Sequence, residues 1–335
     1  MRKIKWGLIG FGNVVKNNLN GFPFNSNNSE LYAFYQRNIE EGLKNQNKYN
    51  IKKFYSNVSN LLSDDNIDAI YICTPPGYHL EYAKLCCDFN KPTYIEKPFA
   101  RNYLECLEIV NYFNKKDVPL WVAHYKRTLP KFLKIKELLQ KNVIGNIINI
   151  NFTSERPFNA SLSNHKWLYN VELSGGGRFF DIAPHLIDLL VFYFGNFKKV
   201  YGLASNNCSD YKTEDIVSFL FETYNGIIGS ANYNFLSDKR LDILTIFGTK
   251  GNISFSIEGG GDIKLNTFDK EESIHFEEPY IYEKNMVDGI VSELLDKKYN
   301  ADICHGDNAL ETYRIIDLIL SDFYNGRAKE FWKNQ

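Results

Sequence analysis

The first third of the chain alternates short apolar runs with stretches of helical spacing. Residues 4–9, 31–35, 69–73, 93–95 and 120–123 read as strands, and residues 80–89 and 103–113 between them carry a helical period. Strands separated by helices predict right-handed crossovers and a parallel sheet covered on both faces. The rhythm changes near residue 125. A helix opens at Pro130 with Phe132, Ile135, Leu138 and Leu139, and most of the chain beyond it has the two-residue period of strands. Ile148, Ile150 and Phe152 alternate with Asn149, Asn151 and Thr153. Further strands are expected at 200–204, 216–221, 227–233, 241–247, 253–257 and 263–268. Asn225-Gly226 and Gly248-Thr249-Lys250-Gly251 read as hairpin turns between them. Helices are expected at 182–194 and 307–323. The pattern therefore predicts an α/β domain with a parallel sheet over residues 1–124. An α+β domain with a large, mainly antiparallel open sheet is expected over residues 125–335.

Composition narrows the function more than the fold. The 335 residues carry 39 Lys and Arg against 40 Asp and Glu, a net charge of -1, which argues against a nucleic-acid partner or a polybasic membrane patch. No apolar run is long enough to span a bilayer, and nothing resembling a signal peptide opens the sequence. The six cysteines form no C-x-x-C pair and no metal-ligand spacing, so reduced thiols, a cytoplasmic location and no metal are expected. Aromatic residues reach 15%, which fits either an ordinary core or a sheet face used for self-association.

Chemistry first appears at the end of the first strand. Gly10-Phe11-Gly12-Asn13-Val14-Val15 stands between a strand and a helix, where two glycines permit a tight turn and close approach of a pyrophosphate. The third glycine position is Val15, so this fingerprint of a dinucleotide site is incomplete. An NAD site usually has a carboxylate at the tip of the second strand; here the tip reads Tyr35-Gln36-Arg37-Asn38. Arg37 suits a 2'-phosphate or the face of an adenine, which leans the cofactor from NAD towards NADP, although a solvated surface arginine fits as well.

Five motifs in order then define a resemblance. The G-x-G turn is followed by Thr74-Pro75-Pro76-Gly77-Tyr78-His79, by Glu96-Lys97-Pro98 and by Gly175-Gly176-Gly177 with Asp181 and His185. The last is Gly306-Asp307-Asn308-Ala309-Leu310. Together they resemble the glucose-fructose oxidoreductase, inositol dehydrogenase and rhizopine-catabolism (Gfo/Idh/MocA) family over nearly the whole chain. The resemblance implies a Rossmann domain that binds NAD or NADP, followed by an α+β domain whose open sheet forms a homodimer or homotetramer. It also implies hydride transfer on a secondary alcohol or ketone of a sugar, polyol or nucleotide sugar. Two rival readings keep the same fold: a non-catalytic cofactor-sensing or sugar-sensing regulator, and an NAD-dependent glycoside hydrolase.

The residues support these roles on their own chemistry. Lys97 follows an apolar strand and precedes Pro98, which favours an extended backbone and sets an amine at the carboxyl edge of a parallel sheet. There it could relay a substrate hydroxyl proton, with Glu96 contacting cofactor or orienting it. The resemblance assigns Thr74, Pro75, Tyr78 and His79 to the nicotinamide ribose, while His79 taken alone reads as a helix-start residue. Asp181 and His185 stand four apart on one helix face, with Asp188 on the same stripe. The resemblance makes His185 the partner of the substrate hydroxyl and Asp181 its orienting carboxylate; Asp181 also reads as an N-cap ahead of Pro184, and Asp188 as structural. Tyr125 and Arg127 are candidates for substrate hydroxyls or phosphate, against plain surface charge. Trp167 and Tyr169 suit a sugar face, against core packing.

Overall fold

The computed structural model describes residues 2–12, 15, 28–158, 166–208, 210–258, 260–299 and 302–334. The described chain divides into two compact units, one of residues 1–128 and 280–310, the other of 129–279 and 311–335. The units are therefore not consecutive stretches of chain, whereas the change of rhythm drew a single border at 124/125.

The first unit holds a six-stranded parallel sheet of β1 (Ile4–Ile9), β2 (Ser29–Tyr35), β3 (Lys53–Tyr55), β4 (Ala69–Ile72), β5 (Thr93–Ile95) and β6 (Leu120–Val122). Its order is β3-β2-β1-β4-β5-β6, so the direction of winding reverses between β1 and β4. The strands β4, β5 and β6 are buried along their whole length, as expected where helices cover both faces. Helices α1 (Ile39–Tyr49), α2 (Val58–Leu62), α3 (His79–Asp88) and α4 (Tyr103–Lys116) join them. Asn38, Asn57 and Asn102 each accept a backbone N–H at the start of α1, α2 and α4, and α1 and α4 end on left-handed Asn50 and Asp117.

The second unit opens with α5 (Pro130–Gln140), which has Pro130 in its first turn and buries Phe132, Ile135 and Leu138. Its eight-stranded sheet runs β14-β13-β12-β11-β7-β10-β9-β8. The strands are β7 (Ile147–Pro157), β8 (Phe197–Ser205), β9 (Ile216–Thr223), β10 (Ile228–Ser237), β11 (Leu241–Gly248), β12 (Gly251–Phe255), β13 (Gly261–Thr267) and β14 (Glu271–Phe276). All neighbours are antiparallel except the central β7–β10 pair. Alternation sorts the faces: Val217, Phe219, Phe221, Ala231, Tyr233, Leu244 and Ile246 are buried, while Tyr201, Leu203, Leu220 and Ile228 point to solvent. Two helices precede β8, α6 (Val171–Ser174) and α7 (Arg178–Phe194). Phe179 of α7 packs edge-on against Tyr233, with ring centroids 5.0 Å apart. Many of the aromatic residues fill the two cores, with Trp6, Tyr71, Tyr94, Phe99, Phe113 and Trp121 in the first and Phe132, Tyr233, Tyr313 and Tyr324 in the second.

The chain then returns to the first unit with α8 (Lys284–Leu294), and residues 304 and 305 cover the free edge of β6 through a Val122 N–H bond to the Cys304 carbonyl at 2.9 Å. The last long helix is α9 (Gly306–Leu320). No helix among the described residues is long and apolar enough to cross a membrane. All six cysteines carry free thiols.

Candidate active site

Parallel register decides which residues share an edge. Ile9 pairs with Tyr35 and with Ile72, Ile72 with Ile95, and Ile95 with Val122. The next residues along each strand, Gly10, Gln36, Cys73, Glu96 and Ala123, therefore form one row along the carboxyl edge, where ligands bind in doubly wound sheets. A cleft opens on this row at the reversal between β1 and β4. It is lined by Gly10, Phe11, Gly12, Tyr35, Gln36, Arg37, Cys73, Thr74, Pro75, Tyr78 and Tyr82.

Gly10 has φ of +103°, and a Cβ there would stand 3.0 Å from the backbone carbon and oxygen of Cys73. Both conformation and space require glycine. Around Gly12 a Cβ would meet no atom of the described residues within 4 Å. Asn13 and Val14 lie outside the described residues. Val15, in the position of the missing glycine, is fully buried.

At the tip of β2 the Gln36 Oε1 accepts from Asn45 Nδ2 at 2.9 Å, which fixes the amide. The Arg37 guanidinium carbon lies 5.8 Å from the centroid of the Tyr78 ring. Arg37 is the one charged residue in the described lining, and no carboxylate joins it. Thr74, Pro75 and Tyr78 line the cleft as expected, and the Thr74 hydroxyl is buried with no hydrogen-bond partner among the described residues. The cleft thus offers a ligand the Arg37 guanidinium and the Thr74 hydroxyl. His79 does not join the lining. It is fully buried, its ring nitrogens 3.1 Å from the Phe99 carbonyl and 2.7 Å from that of Thr74. Burial pulls its pKa down to about 4 against the pull of those carbonyls, only one of which a neutral imidazole can serve as donor.

Further along the row, the Lys97–Pro98 peptide bond is cis, and Lys97 is half-buried. Glu96 is buried and accepts from the Tyr71 hydroxyl at 2.7 Å. A second buried acid, Glu283, accepts from the Tyr94 hydroxyl at 3.1 Å, and the stacked rings of Tyr71 and Tyr94 set the two carboxyls side by side. Burial raises both carboxyls above the usual range, while the Lys97 charge opposes it. Glu283 was not visible as a site residue in the sequence; it lies in no motif and nearly 190 positions from its partners. Arg127 is buried rather than surface charge, and Tyr125 packs against Tyr282 with ring centroids 5.9 Å apart.

In the second unit α7 starts at Arg178, four residues earlier than the apolar pattern suggested, so Asp181 lies within its first turn and is not the N-cap. The N-cap is Gly177, which has no side chain to cap with. A distant acid does that work: Glu214 Oε1 accepts from the Gly177 N–H at 2.8 Å and the Phe180 N–H at 3.1 Å, and its Oε2 accepts from the Tyr324 hydroxyl at 2.5 Å. A Cβ on Gly177 would meet Thr213 Oγ1 at 2.7 Å and the Glu214 carbonyl at 2.8 Å, so this glycine gives way to protein backbone. Asp181 and His185 are half-buried on α7, while Asp188 is fully buried. Tyr169 stacks on Tyr211 at 4.3 Å between centroids, and Trp167 is half-buried in the same short helical turn.

Comparison with known proteins decides the family. The oxidoreductase family model with an NAD-binding Rossmann fold matches residues 4–124, and the GFO/IDH/MocA C-terminal domain model matches residues 132–254. The chain belongs to the Gfo/Idh/MocA oxidoreductases. Oxidoreductase P35 of Formosa agariphila is 35% identical over 94% of this chain and 98% of its own. Myo-inositol 2-dehydrogenase of Thermotoga maritima is 24% identical over 74% of this chain and 73% of its own. Among solved structures, an oxidoreductase from Agrobacterium radiobacter, in complex with NAD+, L-tartaric acid and magnesium, has the same fold. It aligns with a TM-score of 0.85 at 17% identity over 97% of both chains. As a Gfo/Idh/MocA member the protein is an NAD(P)-dependent oxidoreductase acting on CH–OH groups.

Proposed function

We propose that this oxidoreductase interconverts a secondary alcohol and a ketone on a sugar, polyol or nucleotide sugar, with NADP favoured over NAD. The observation that carries the reading is the single row at the carboxyl edge, which places the glycine turn, Thr74 and the Glu96-Lys97 pair together on adjacent strand ends. A bound nicotinamide supplies the acceptor or donor of the hydride. Gly10, Gly12, Thr74, Pro75 and Tyr78 hold the cofactor, and Gln36 and Arg37 face its adenosine end. An arginine 5.8 Å from an aromatic ring centroid, with no carboxylate in the described lining, suits a 2'-phosphate and offers no acceptor to a ribose diol.

The substrate hydroxyl proton passes to Lys97 or His185, and Asp181 orients and polarises His185. Tyr125, Arg127, Trp167 and Tyr169 are substrate-contact candidates. Tyr169 is braced for this by Tyr211. The free thiols support a cytoplasmic protein. The apolar row of Tyr201, Leu203, Leu220 and Ile228 on the open sheet supports a homodimer or homotetramer through that face.

A panel of sugars, polyols and nucleotide sugars assayed with both NAD and NADP identifies the substrate. Lys97→Ala should then lower kcat by about a hundredfold or more while cofactor affinity stays within a few-fold. Near-normal turnover by that variant would refute the role of Lys97.

A further inference from the structure

Glu283 occupies the N-cap position of α8 yet makes no side-chain cap hydrogen bond there. The side chains that cap from that position are the short ones, Ser, Thr, Asp and Asn, and a glutamate is not among them. Instead its side chain turns to Tyr94 and Glu96. An ionised carboxylate can only accept, so a hydrogen bond between two carboxyls requires one proton held between them. Tyr71 donates to Glu96 Oε1 and Tyr94 to Glu283 Oε2, so each acid keeps a second oxygen that can share that proton. The two tyrosine rings stack at 5.0 Å between centroids and fix both hydroxyls. The titratable groups facing the pair are Tyr71 and Cys73 from the β4 end, Tyr94 from β5, and Lys97, with Tyr125 beyond Tyr94. Lys97 is the only cation among these named groups.

We propose that Glu96 and Glu283 form a buried acid pair holding one proton and one negative charge beside Lys97. The pair as a unit, and neither acid alone, then sets the charge state of the Lys97 amine, with Glu283 as the second holder of the shared proton. The inference rests on the catalytic reading of Lys97 for its importance, but not for its test. A pair with a single charge has an unusual mutational signature. Replacing either glutamate alone by glutamine leaves one carboxylate, now accepting from an amide, so the charge beside Lys97 is unchanged. Replacing both removes it.

The pH dependence of Lys97 acetylation by acetic anhydride, read by peptide mass spectrometry, reports the amine directly. Glu96→Gln and Glu283→Gln should each leave the Lys97 midpoint where it is in the wild type. The double variant should lower it by roughly one to three pH units, the effect of losing an adjacent opposite charge. Infrared difference spectra supply a second measurement that needs only the single variants. At neutral pH the wild type should show a protonated-carboxyl band that either single substitution removes. Single variants that each shift Lys97, or a wild-type-minus-Glu283→Gln spectrum without that band, would overturn the shared proton. Neither reading depends on turnover. An active Lys97→Ala enzyme would refute the catalytic reading and leave the pair standing, whereas a failed acetylation test would do the reverse.

Discussion

Glu214→Ala is the sharpest stability test of the second unit. Glu214 is fully buried, and its two oxygens accept from Gly177, Phe180 and Tyr324. Truncation leaves two backbone N–H groups and a tyrosine hydroxyl without an acceptor, and opens a cavity. Each orphaned donor costs about 1–3 kcal/mol, so a loss of about 4 kcal/mol is expected once the site relaxes. Glu214→Gln keeps an oxygen for the two N–H groups and an amide that can donate to Tyr324, and should cost about 1 kcal/mol. The difference between these variants depends on pH. Burial raises the Glu214 carboxyl, and its hydrogen bonds and Arg327 only partly oppose this. A carboxyl raised in the fold binds its proton more tightly there than in the unfolded chain. Its contribution is therefore fully present below the unfolded value of about 4.3 and is lost as pH rises through the folded one. Glutamine has no such titration, so the Glu214→Gln deficit should be greatest in acid and shrink towards alkaline pH. Urea denaturation, following the transition of the second unit at several pH values, measures this. A Glu214→Ala loss below about 1 kcal/mol, or a Glu214→Gln deficit that grows with pH, would refute the capping argument.

Other outcomes can be checked on the same structure. Arg37→Ala should weaken NADPH binding about tenfold and leave NADH within about twofold, as fluorescence titration with each would show; equal losses would remove the case for the 2'-phosphate. Burial pushes the Asp64 carboxyl up, but hydrogen bonds from Lys53, Tyr55 and Asn66 outweigh it and hold the group well below the usual range. Its contribution is present above the unfolded value and lost in acid. Asp64→Asn should therefore be less stable than wild type at pH 7, with the gap closing as pH falls below about 4. Thermal melts across that range test the sign. Leu203→Glu, on the exposed sheet row, should shift the protein towards monomer in light scattering without lowering its melting temperature.

Most of the architecture was legible because it rests on local pattern. The buried strands β1 and β4 to β6 are apolar runs, and β7 to β13 alternate clearly enough to fix which face is covered. Two hairpin turns were readable from Asn225-Gly226 and the stretch from Gly248 to Gly251, which join β9 to β10 and β11 to β12. The elements that escaped lacked such a signal. β3 is three half-buried residues, and β14, Glu-Glu-Ser-Ile-His-Phe, is a polar edge strand with no buried face. α1 buries only Gly42 and Asn45, so no apolar stripe marks it. The start of α7 was misplaced because its first turn is capped by Glu214, 37 residues away, and not by a neighbour. Glu214 and Glu283 share this invisibility. Each acquires its role from burial and from partners brought by distant chain.

The return of residues 280–310 to the first unit bears on how the protein is made. A nascent chain that has emerged as far as residue 279 already contains all six parallel strands and every residue of the cleft lining. It still lacks the Cys304 carbonyl that pairs with the edge of β6, and Gly306, which lies against Leu120 and Val110. During synthesis the nucleotide sheet therefore waits with one open, aggregation-prone border until almost the entire protein has been translated. Expressing residues 1–124 alone would make that waiting state permanent.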